Sequence, residues 1–493
     1  MSGPAFAGEG LAVAIDELVA CMQQLYVEDD VPWVVGYSGG KDSTATLQLV
    51  WTALEGLPPE QRHKPVFVIS TDTLVENPVV AAWVGRSLEV MSRRATELGI
   101  PLTPHRLTPK VTDTFWVNLI GKGYPAPRPK FRWCTERMKI NPSNDFIRSV
   151  VADHGEAILV LGIRKAESGM RARSMGRQEE MRVRDRLSPN ASLPNSLVYS
   201  PIEDWSNDDV WTYLMQRPNP WGYDNKDLLT MYQGASEDGE CPLVVDSSTP
   251  SCGDSRFGCW TCTLVEKDKS MTAMIQNDEE KEWMLPLLDL RNRLDVTDDR
   301  HLRDFRRITG RIQLHADRLI HGPYTQEARA DWLRQLLEAQ RWIRENAPED
   351  VRDTQLITRD ELREIRRIWT SDKHEFEDLL PGIYEDAMGE PFGEDVLDGH
   401  LALGPQELAD LRELCSSELH YQLIRDLLDV ERRQKLSLRR RGLYDDLYST
   451  IERHFYEDAD DALDLARRRR DRKDIDEAAE PDFVQPVVER VAP

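Results

Sequence analysis

The sequence lacks any apolar run that approaches the length of a membrane-spanning helix, which needs about 20 predominantly apolar residues. No basic segment followed by an apolar segment opens it, so no secretory signal is predicted. In a reducing compartment its seven cysteines are expected as metal ligands, catalytic thiols or core residues rather than as disulfides. We therefore expect a cytoplasmic protein with no membrane partner.

Basic residues are fewer than acidic residues. The chain has 63 Lys and Arg residues against 87 Asp and Glu residues, a formal net charge of −24. This balance argues against a broadly cationic nucleic-acid binder, so a polyanionic substrate would have to meet a local basic patch or a partner protein. At 493 residues, with 40% hydrophobic and 30% charged residues, the chain is expected to be a soluble globular protein of two or more domains.

Two common phosphate-binding fingerprints are missing from the glycine-rich turn at residues 38–43. In a Walker loop a hydroxyl residue follows the lysine, but here Asp42 follows Lys41, and the G-x-G-x-x-G pattern is also absent. The turn joins an apolar run at 33–37, a predicted strand, to apolar residues at helical spacing between 47 and 54. Two residues without a Cβ let backbone N–H groups approach an anion at a helix N-terminus. The pattern predicts a phosphate cradle; the alternative is a turn that only joins two elements.

Further strands are predicted at 66–71 and 157–163, with a helix after the first of them. Strands and helices that alternate at this spacing predict an α/β fold with a doubly wound, mostly parallel sheet. Ligands of such sheets bind at the carboxyl ends of the strands, which places Asp72 and Thr73 near a nucleotide. The alternative is an ordinary turn that leads into a helix.

Arginine is concentrated directly after the third predicted strand. A guanidinium group binds phosphate through two parallel hydrogen bonds. Arg164, Arg171 and Arg173 are therefore candidate clamps on ATP or on a phosphorylated substrate. The alternative is a solvated charged loop.

Cys134 lies between two arginines, Arg132 and Arg137, near the predicted start of a helix. Nearby positive charge and a helix N-terminus both favour the thiolate, which is the reactive form of cysteine. A reactive thiol and an inert buried cysteine are both compatible with these residues.

Four cysteines follow within 22 residues, separated by ten, six and two residues: Cys241, Cys252, Cys259 and Cys262. Four thiolates from one loop-rich segment can enclose Zn²⁺ or an iron–sulfur cluster. Only one C-x2-C pair is present, whereas a zinc ribbon usually offers two, so we favour a [4Fe–4S] cluster over zinc. Unliganded thiols are a further alternative, and Cys134 could replace one of the four.

Taken together, these motifs resemble the phosphoadenosine phosphosulfate (PAPS) reductase family. The resemblance rests on an S-G-G-x-D-S pyrophosphatase loop (PP-loop) at 38–43 and on the runs 69–78, 132–135, 162–171 and 251–262. It covers about residues 30 to 340, and with the last run it is similar to the branch of sulfurtransferases of bacterial DNA phosphorothioation.

The resemblance implies an enzyme that splits ATP into AMP and pyrophosphate to replace a non-bridging oxygen of the DNA backbone by sulfur. Lys41 and Asp42 are then catalytic candidates, with Asp42 helping to hold Mg²⁺. The nucleotide site would further comprise Ser38, Gly39, Gly40, Ser43, Asp72, Thr73, Gly162 and Arg164. A cysteine desulfurase would supply the sulfur, which passes through Cys134 or through the cluster.

Two other functions are alternatives. One is the reduction of an adenylyl-sulfate metabolite, for which a lone reactive cysteine near the C-terminus would be the mark, and the sequence offers none there. The other is a nucleotide-sensing scaffold subunit of a DNA-modification complex, whose loop binds ATP without turnover.

The expected organisation has seven parts. They are a leading helix at 1–30, a PP-loop domain at 31–235, a cysteine-rich segment at 236–270, a helical region at 271–374, an acidic linker or insertion at 375–398, a helical C-terminal region at 399–478 and a disordered tail at 479–493. The helical region at 399–478 contains arginine runs that could contact DNA phosphates, although a solvated helix face is the simpler explanation.

Overall fold

The computed structural model describes residues 10–235, 257–349, 351–393, 405–435 and 442–479. Cys241, Cys252 and the expected disordered tail, apart from Ala479, lie outside these ranges. Within them no helix is both long and apolar enough to cross a membrane.

A six-stranded, mostly parallel sheet forms the centre of the region that contains the glycine-rich turn. Its strands are β1 (Trp33–Gly36), β2 (Val66–Thr71), β3 (Leu102–Leu107), β4 (Ala157–Val160), β5 (Ser188–Pro189) and β6 (Ser196–Tyr199). They lie side by side in the order β3-β2-β1-β4-β6-β5. Strand β1 pairs in parallel with β2 and β4, with Val35 opposite Val68 and Val160. Only β5 runs antiparallel to its neighbour. The doubly wound α/β fold predicted from the sequence is confirmed.

Helices account for most of the remaining described chain. The first nine are α1 (Leu11–Val27), α2 (Lys41–Glu55), α3 (Pro78–Leu98), α4 (Asn141–His154), α5 (Gly169–Glu180), α6 (Asn207–Gln216), α7 (Asn225–Gly234), α8 (Lys269–Asn277) and α9 (Leu285–Leu294). A short hairpin of β7 (Leu314–His315) and β8 (Arg318–Leu319) follows. The others are α10 (Gln326–Asn346), α11 (Arg359–Arg367), α12 (Leu379–Met388), α13 (Pro405–Leu414), α14 (Glu418–Lys435), α15 (Leu443–Arg453) and α16 (Ala459–Ala479).

Strand β1 is buried on both faces. Trp33 and Val35 pack in one hydrophobic cluster with Trp51 of α2. Val34 points into a second cluster, with Ile147 of α4. A strand covered on both sides is apolar without alternation, which explains the continuous apolar run seen in the sequence.

The chain divides into two units. The first contains the sheet and comprises Met1–Asn118, Ala126–Val296 and Gln335–Glu361. The second comprises Leu119–Pro125, Thr297–Arg334 and Leu362–Pro493. Its described part includes the buried ion pair between Arg329 and Glu375 and a hydrogen bond from Trp369 Nε1 to the Ile120 carbonyl of 2.9 Å.

One local expectation was wrong, and two other regions contain helices that the sequence did not predict. Strand β4 ends at Val160 rather than at residue 163. Residues 169–180, considered above as a charged loop, form α5, because Ser168 caps its N-terminus by accepting from the Arg171 N–H. Within the expected acidic linker, residues 379–388 form α12, which buries Leu380 and Ile383.

Candidate functional site

The glycine-rich turn leads directly from β1 into α2. Gly39 has φ +74°, and a Cβ at this position would lie 2.4 Å from Val84 Cγ2, so only glycine fits. Ser43 closes the turn, because its hydroxyl accepts from the Ser38 N–H at 3.2 Å and donates to the Gly40 carbonyl at 3.0 Å. The turn therefore places backbone amides and the first turn of α2 around one point, as anion binding requires.

A cavity of about 1140 Å³ opens over this turn, at the carboxyl ends of the parallel strands. The predicted nucleotide-site residues that line it are Ser38, Gly40, Lys41, Asp42, Ser43, Asp72, Gly162 and Arg164. The volume is slightly above the roughly 300–1,000 Å³ of typical small-molecule sites, so the cavity is large enough for a nucleotide.

Asp42 lies between two cationic side chains. Arg164 Nε donates to Asp42 Oδ1 at 2.7 Å, and Lys41 Nζ lies 3.6 Å from Asp42 Oδ2. Arg164 is buried, with 4% of its surface exposed, and also donates to the Trp205 carbonyl at 3.3 Å. Arg164, a predicted phosphate clamp, lines the cavity and is held there by its pair with Asp42. Burial lowers the pKa of Lys41, against the opposing effect of Asp42.

Gly162 brings the end of β4 against α2. A Cβ at this position would lie 2.6 Å from the Asp42 carbonyl oxygen. A side chain there would displace the first turn of α2, so the glycine keeps Arg164 within reach of Asp42.

The two residues after β2 have different surroundings. Asp72 lines the cavity and accepts from Arg106 Nη2 at 2.5 Å. Thr73 is fully buried; its hydroxyl donates to Glu76 Oε1 at 3.0 Å and lies 3.3 Å from Cys259 Sγ. The β2 end thus connects the nucleotide cavity with the cysteine-rich segment.

The described part of that segment docks on the loop after β2 through backbone pairing. The Trp260 N–H donates to the Val75 carbonyl at 2.9 Å, and the Asn77 N–H donates to the Gly258 carbonyl at 3.2 Å. Trp260 is buried against Trp116, with ring centroids 5.7 Å apart. The C-x2-C turn closes with a 3.0 Å hydrogen bond from the Cys262 N–H to the Cys259 carbonyl.

Lys139 and Glu76 lie between the cysteines and the cavity, which both residues line. Lys139 Nζ is 3.3 Å from Glu76 Oε1, and the Cys259 thiol donates to the same oxygen at 3.8 Å. Burial opposes the charge of Lys139, but Cys259 and Glu76 raise its pKa. Burial, followed by the charge of Glu76, raises the pKa of Cys259 to about 12.

Cys134 precedes a helical turn, Thr135–Ile140, that leads into α4. Burial is the main cause of the raised pKa of Cys134, and the charge of Cys262 adds to it. The raised pKa is opposite to the stabilised thiolate expected from the neighbouring arginines. The charge of Arg137 is instead 3.7 Å from Asp113.

The C-x2-C pair is the described half of the predicted metal site. Among the described residues, no three His, Cys, Asp or Glu side chains are grouped so that they could hold a metal ion. Two of the four predicted ligands, Cys259 and Cys262, are described, and both interact with Lys139. Thiols near one cation and near Cys134 fit an anionic thiolate centre, which Cys241 and Cys252 would have to complete.

The other two candidate clamps, Arg171 and Arg173, differ in their position relative to the cavity. Arg171 lines the cavity and lies 3.3 Å from Glu167. Arg173, on the same helix, is exposed and is not among the described residues that line the cavity. Of the three candidate clamps, Arg164 and Arg171 therefore line the cavity and Arg173 does not.

Tyr232 of α7 was missed by sequence reasoning, as were Glu76, Lys139 and Arg106. Its hydroxyl accepts from the Lys41 N–H at 3.3 Å, and burial raises the pKa of Tyr232 to about 12. Tyr232 is 191 positions from Lys41, and its spacing in α7 is that of a core residue. No local pattern could have assigned it to the site.

Comparison with known proteins agrees with this geometry. Residues 32–264 match the family described as phosphoadenosine phosphosulfate reductase domain. The chain is 28% identical over 203 residues to an uncharacterized protein of Methanocaldococcus jannaschii, a match that covers 41% of this chain and 35% of that protein. The chain thus spans about a third of the length of this relative.

Solved structures of low similarity include PAPS reductase from Candida auris in a phosphate complex, with 14% identity, a TM-score of 0.27 and coverage of 42% of this chain and 86% of that chain. Another is the U34-tRNA thiolase NcsA from Methanococcus maripaludis with its [4Fe-4S] cluster, with 11% identity, a TM-score of 0.28 and coverage of 60% and 86%.

The fold and the cavity define an α/β domain whose glycine-rich turn opens into a cavity large enough for a nucleotide. In sequence, residues 32–264, somewhat less than half of the chain, are similar to the phosphoadenosine phosphosulfate reductase domain family.

Proposed function

We propose that this chain is an ATP pyrophosphatase-type sulfurtransferase that replaces a phosphate oxygen of the DNA backbone by sulfur. The observation that supports the proposal best is the position of Lys139 and Glu76, which form an ion pair at the wall of the cavity, with Glu76 in contact with the Cys259 thiol. Adenylation and sulfur delivery can therefore take place in one continuous site. The proposed protein acts in the cytoplasm, with DNA and a cysteine desulfurase as partners.

In the first step an oxygen of the DNA phosphodiester attacks the α-phosphorus of ATP, and pyrophosphate leaves. The turn at 38–43 holds the leaving pyrophosphate through its backbone amides, with Lys41 at the start of α2 to balance the charge. Mg²⁺, when bound, would neutralise phosphate charge beside Asp42. Arg164 keeps the Asp42 carboxylate in place, and Arg171 faces the substrate from the cavity wall.

In the second step a sulfur nucleophile attacks the adenylated phosphorus, and AMP leaves with the former DNA oxygen. The terminal sulfur of a persulfide on Cys134 is the candidate nucleophile. A second thiol then breaks the S–S bond, which leaves the phosphorothioate on DNA and a disulfide that an external dithiol reduces. A [4Fe–4S] cluster held by Cys241, Cys252, Cys259 and Cys262 would supply an anchoring or sulfur-handling centre beside this path.

A single substitution separates the two steps. Cys134→Ser is expected to release pyrophosphate from ATP as the wild type does, and to transfer no sulfur to DNA in the presence of a cysteine desulfurase. The matched control is Cys21→Ser, a half-buried thiol on α1 that should leave both activities unchanged. Retained sulfur incorporation by Cys134→Ser would eliminate the persulfide role.

The PAPS reductase match supports a second candidate, reduction of an adenylyl-sulfate to sulfite. Sulfite production from adenylyl-sulfate and a dithiol would favour this reaction. ATP binding without pyrophosphate release, even with DNA and the desulfurase present, would favour a nucleotide-sensing subunit instead.

A further inference from the structure

One local excess of positive charge lies in the second unit, around the β7–β8 hairpin. Residues 300–321 contain six arginines and two aspartates, and no lysine, in a chain whose formal net charge is −24. Two of these arginines, Arg311 and Arg318, are exposed, and neither has a carboxylate partner among the residues that the structure describes. An unpaired, exposed guanidinium is available to an external anion.

Two helices add arginines to the same region. The side chain of Arg453, the last residue of α15, lies across Gly310, where an added Cβ would be 2.3 Å from Arg453 Cγ. On α16, Arg470 pairs with Asp317 at the tip of the β7–β8 hairpin, and Arg467 acts on the same carboxylate. The arginine surface is therefore defined by Arg311, Arg318, Arg453, Arg467 and Arg470.

An aromatic ring is held beside the arginine surface. Phe455 is 66% exposed. Its neighbour Tyr456 is buried against Phe305, with ring centroids 6.3 Å apart, while Arg453 on the other side packs on Gly310. The chain on both sides of Phe455 is thus anchored, and the phenyl ring points away from the core.

We propose that the arginine surface and Phe455 bind single-stranded nucleic acid. A guanidinium group donates two parallel hydrogen bonds to the oxygens of one phosphate. A nucleic-acid backbone presents such phosphates in a row, so it matches a surface of several arginines better than the scattered carboxylates of an acidic protein would. An exposed, anchored aromatic ring stacks on an unpaired base, a contact that neither a membrane surface nor an acidic protein supplies. The inference extends the proposed function, since it gives the polymeric substrate a binding surface outside the nucleotide cavity.

The test is the binding of a fluorescently labelled oligodeoxythymidine to the full chain, measured by anisotropy over a range of salt concentrations. Arg311→Glu with Arg318→Glu is expected to weaken binding at low salt by at least about tenfold and to reduce the slope of log K against log salt by about 1.4. The control, Arg93→Glu with Arg352→Glu, makes the same charge change at exposed positions of the first unit and should preserve the slope.

A second variant tests stacking separately from charge. Phe455→Ala should weaken oligonucleotide binding by about tenfold with an unchanged salt slope. The inference is overturned if the wild type binds no oligonucleotide, if both variants bind as the wild type does, or if phosphatidylserine-containing vesicles bind and the oligonucleotide does not. Pyrophosphate release without DNA, assayed in parallel, reports on the nucleotide site alone, so a failure of the proposed function is seen independently.

Discussion

At the scale of single residues, three carboxylates of the candidate site are each paired with cationic side chains. Asp42 is fixed by Arg164 and Lys41, Asp72 by Arg106, and Glu76 by Lys139. Each carboxylate keeps its position before any ligand binds. Preorganised charges stabilise a transition state without a reorganisation cost at the moment of reaction.

Arg164 is the residue whose loss should show this most clearly. Arg164→Ala leaves Asp42 without its 2.7 Å partner, so we expect pyrophosphate release from ATP to slow by about 10²–10³-fold. Arg173→Ala removes an arginine from an exposed position on α5 and should change the rate by less than about twofold. A rate for Arg164→Ala equal to that of Arg173→Ala would show that Asp42 needs no fixed partner.

Asp29 and Lys64 form a structural ion pair away from the cavity. Lys64 Nζ donates to Asp29 Oδ1 at 2.8 Å, and the lysine side chain is 1% exposed. Asp29→Asn leaves this ammonium buried without a charge partner and should lower the free energy of unfolding by about 3–5 kcal/mol, measured by urea denaturation. A loss below 1 kcal/mol would mean that water reaches Lys64.

The ion pair between Asp29 and Lys64 also makes the stability of the fold depend on pH. Burial opposes ionisation, but hydrogen bonds from Lys64 and Arg184 hold the pKa of Asp29 below its ordinary value of 3.8. Because the folded pKa is the lower one, the carboxylate stabilises the fold above pH 3.8 and this contribution is lost as the pH falls through the lowered pKa. Acid unfolding of Asp29→Asn should lack this component.

At the scale of elements, the turn between β1 and α2 depends on the close approach of β4. Gly162→Ala would force a Cβ to within 2.6 Å of the Asp42 carbonyl, so it should destabilise the protein by about 1–3 kcal/mol and reduce ATP cleavage. The matched control is Gly176→Ala inside α5, where nothing lies within 4 Å, and it should be neutral or stabilising by up to about 1 kcal/mol. Equal melting temperatures for the two variants would contradict this packing argument.

Elements with a strong apolar pattern could be predicted from the sequence, whereas those fixed by distant neighbours could not. Strand β2 and helices α2 and α3 follow the apolar periodicity. Strand β3 was not predicted, because Pro104 and His105 interrupt the apolar pattern of a strand. The structure tolerates the proline because β3 lies at the edge of the described sheet, where it pairs with β2 alone.

The residues of the candidate site also fall into those that a local sequence pattern predicts and those that it does not. The PP-loop residues are consecutive in sequence, so their local pattern was sufficient to locate them. Lys139 meets Glu76 and Cys259 only after α4 and the segment 257–262 pack near the end of β2. A contact between residues that are distant in the chain leaves no spacing pattern in the sequence, and for the same reason the ion pair between Arg164 and Asp42 was not predicted.

At the scale of the whole molecule, the first unit brings a phosphate cradle and a set of cysteines to the same end of one sheet. If those cysteines hold a [4Fe–4S] cluster, anaerobically purified protein should be brown and contain about four irons per chain. Cys259→Ser should lose the iron and the visible absorption, while Cys21→Ser should keep both. One tightly bound zinc in place of iron would make the centre structural.

The central claim is that a DNA phosphate oxygen is activated by adenylation and leaves with AMP. The most direct test uses DNA whose phosphodiester carries oxygen-18 in its non-bridging positions, incubated with the chain, ATP, a cysteine desulfurase and a dithiol. Mass spectrometry of the AMP should find one oxygen-18 atom for each phosphorothioate formed. Phosphorothioate formation with unlabelled AMP, or AMP formation without sulfur in the DNA, would contradict the account.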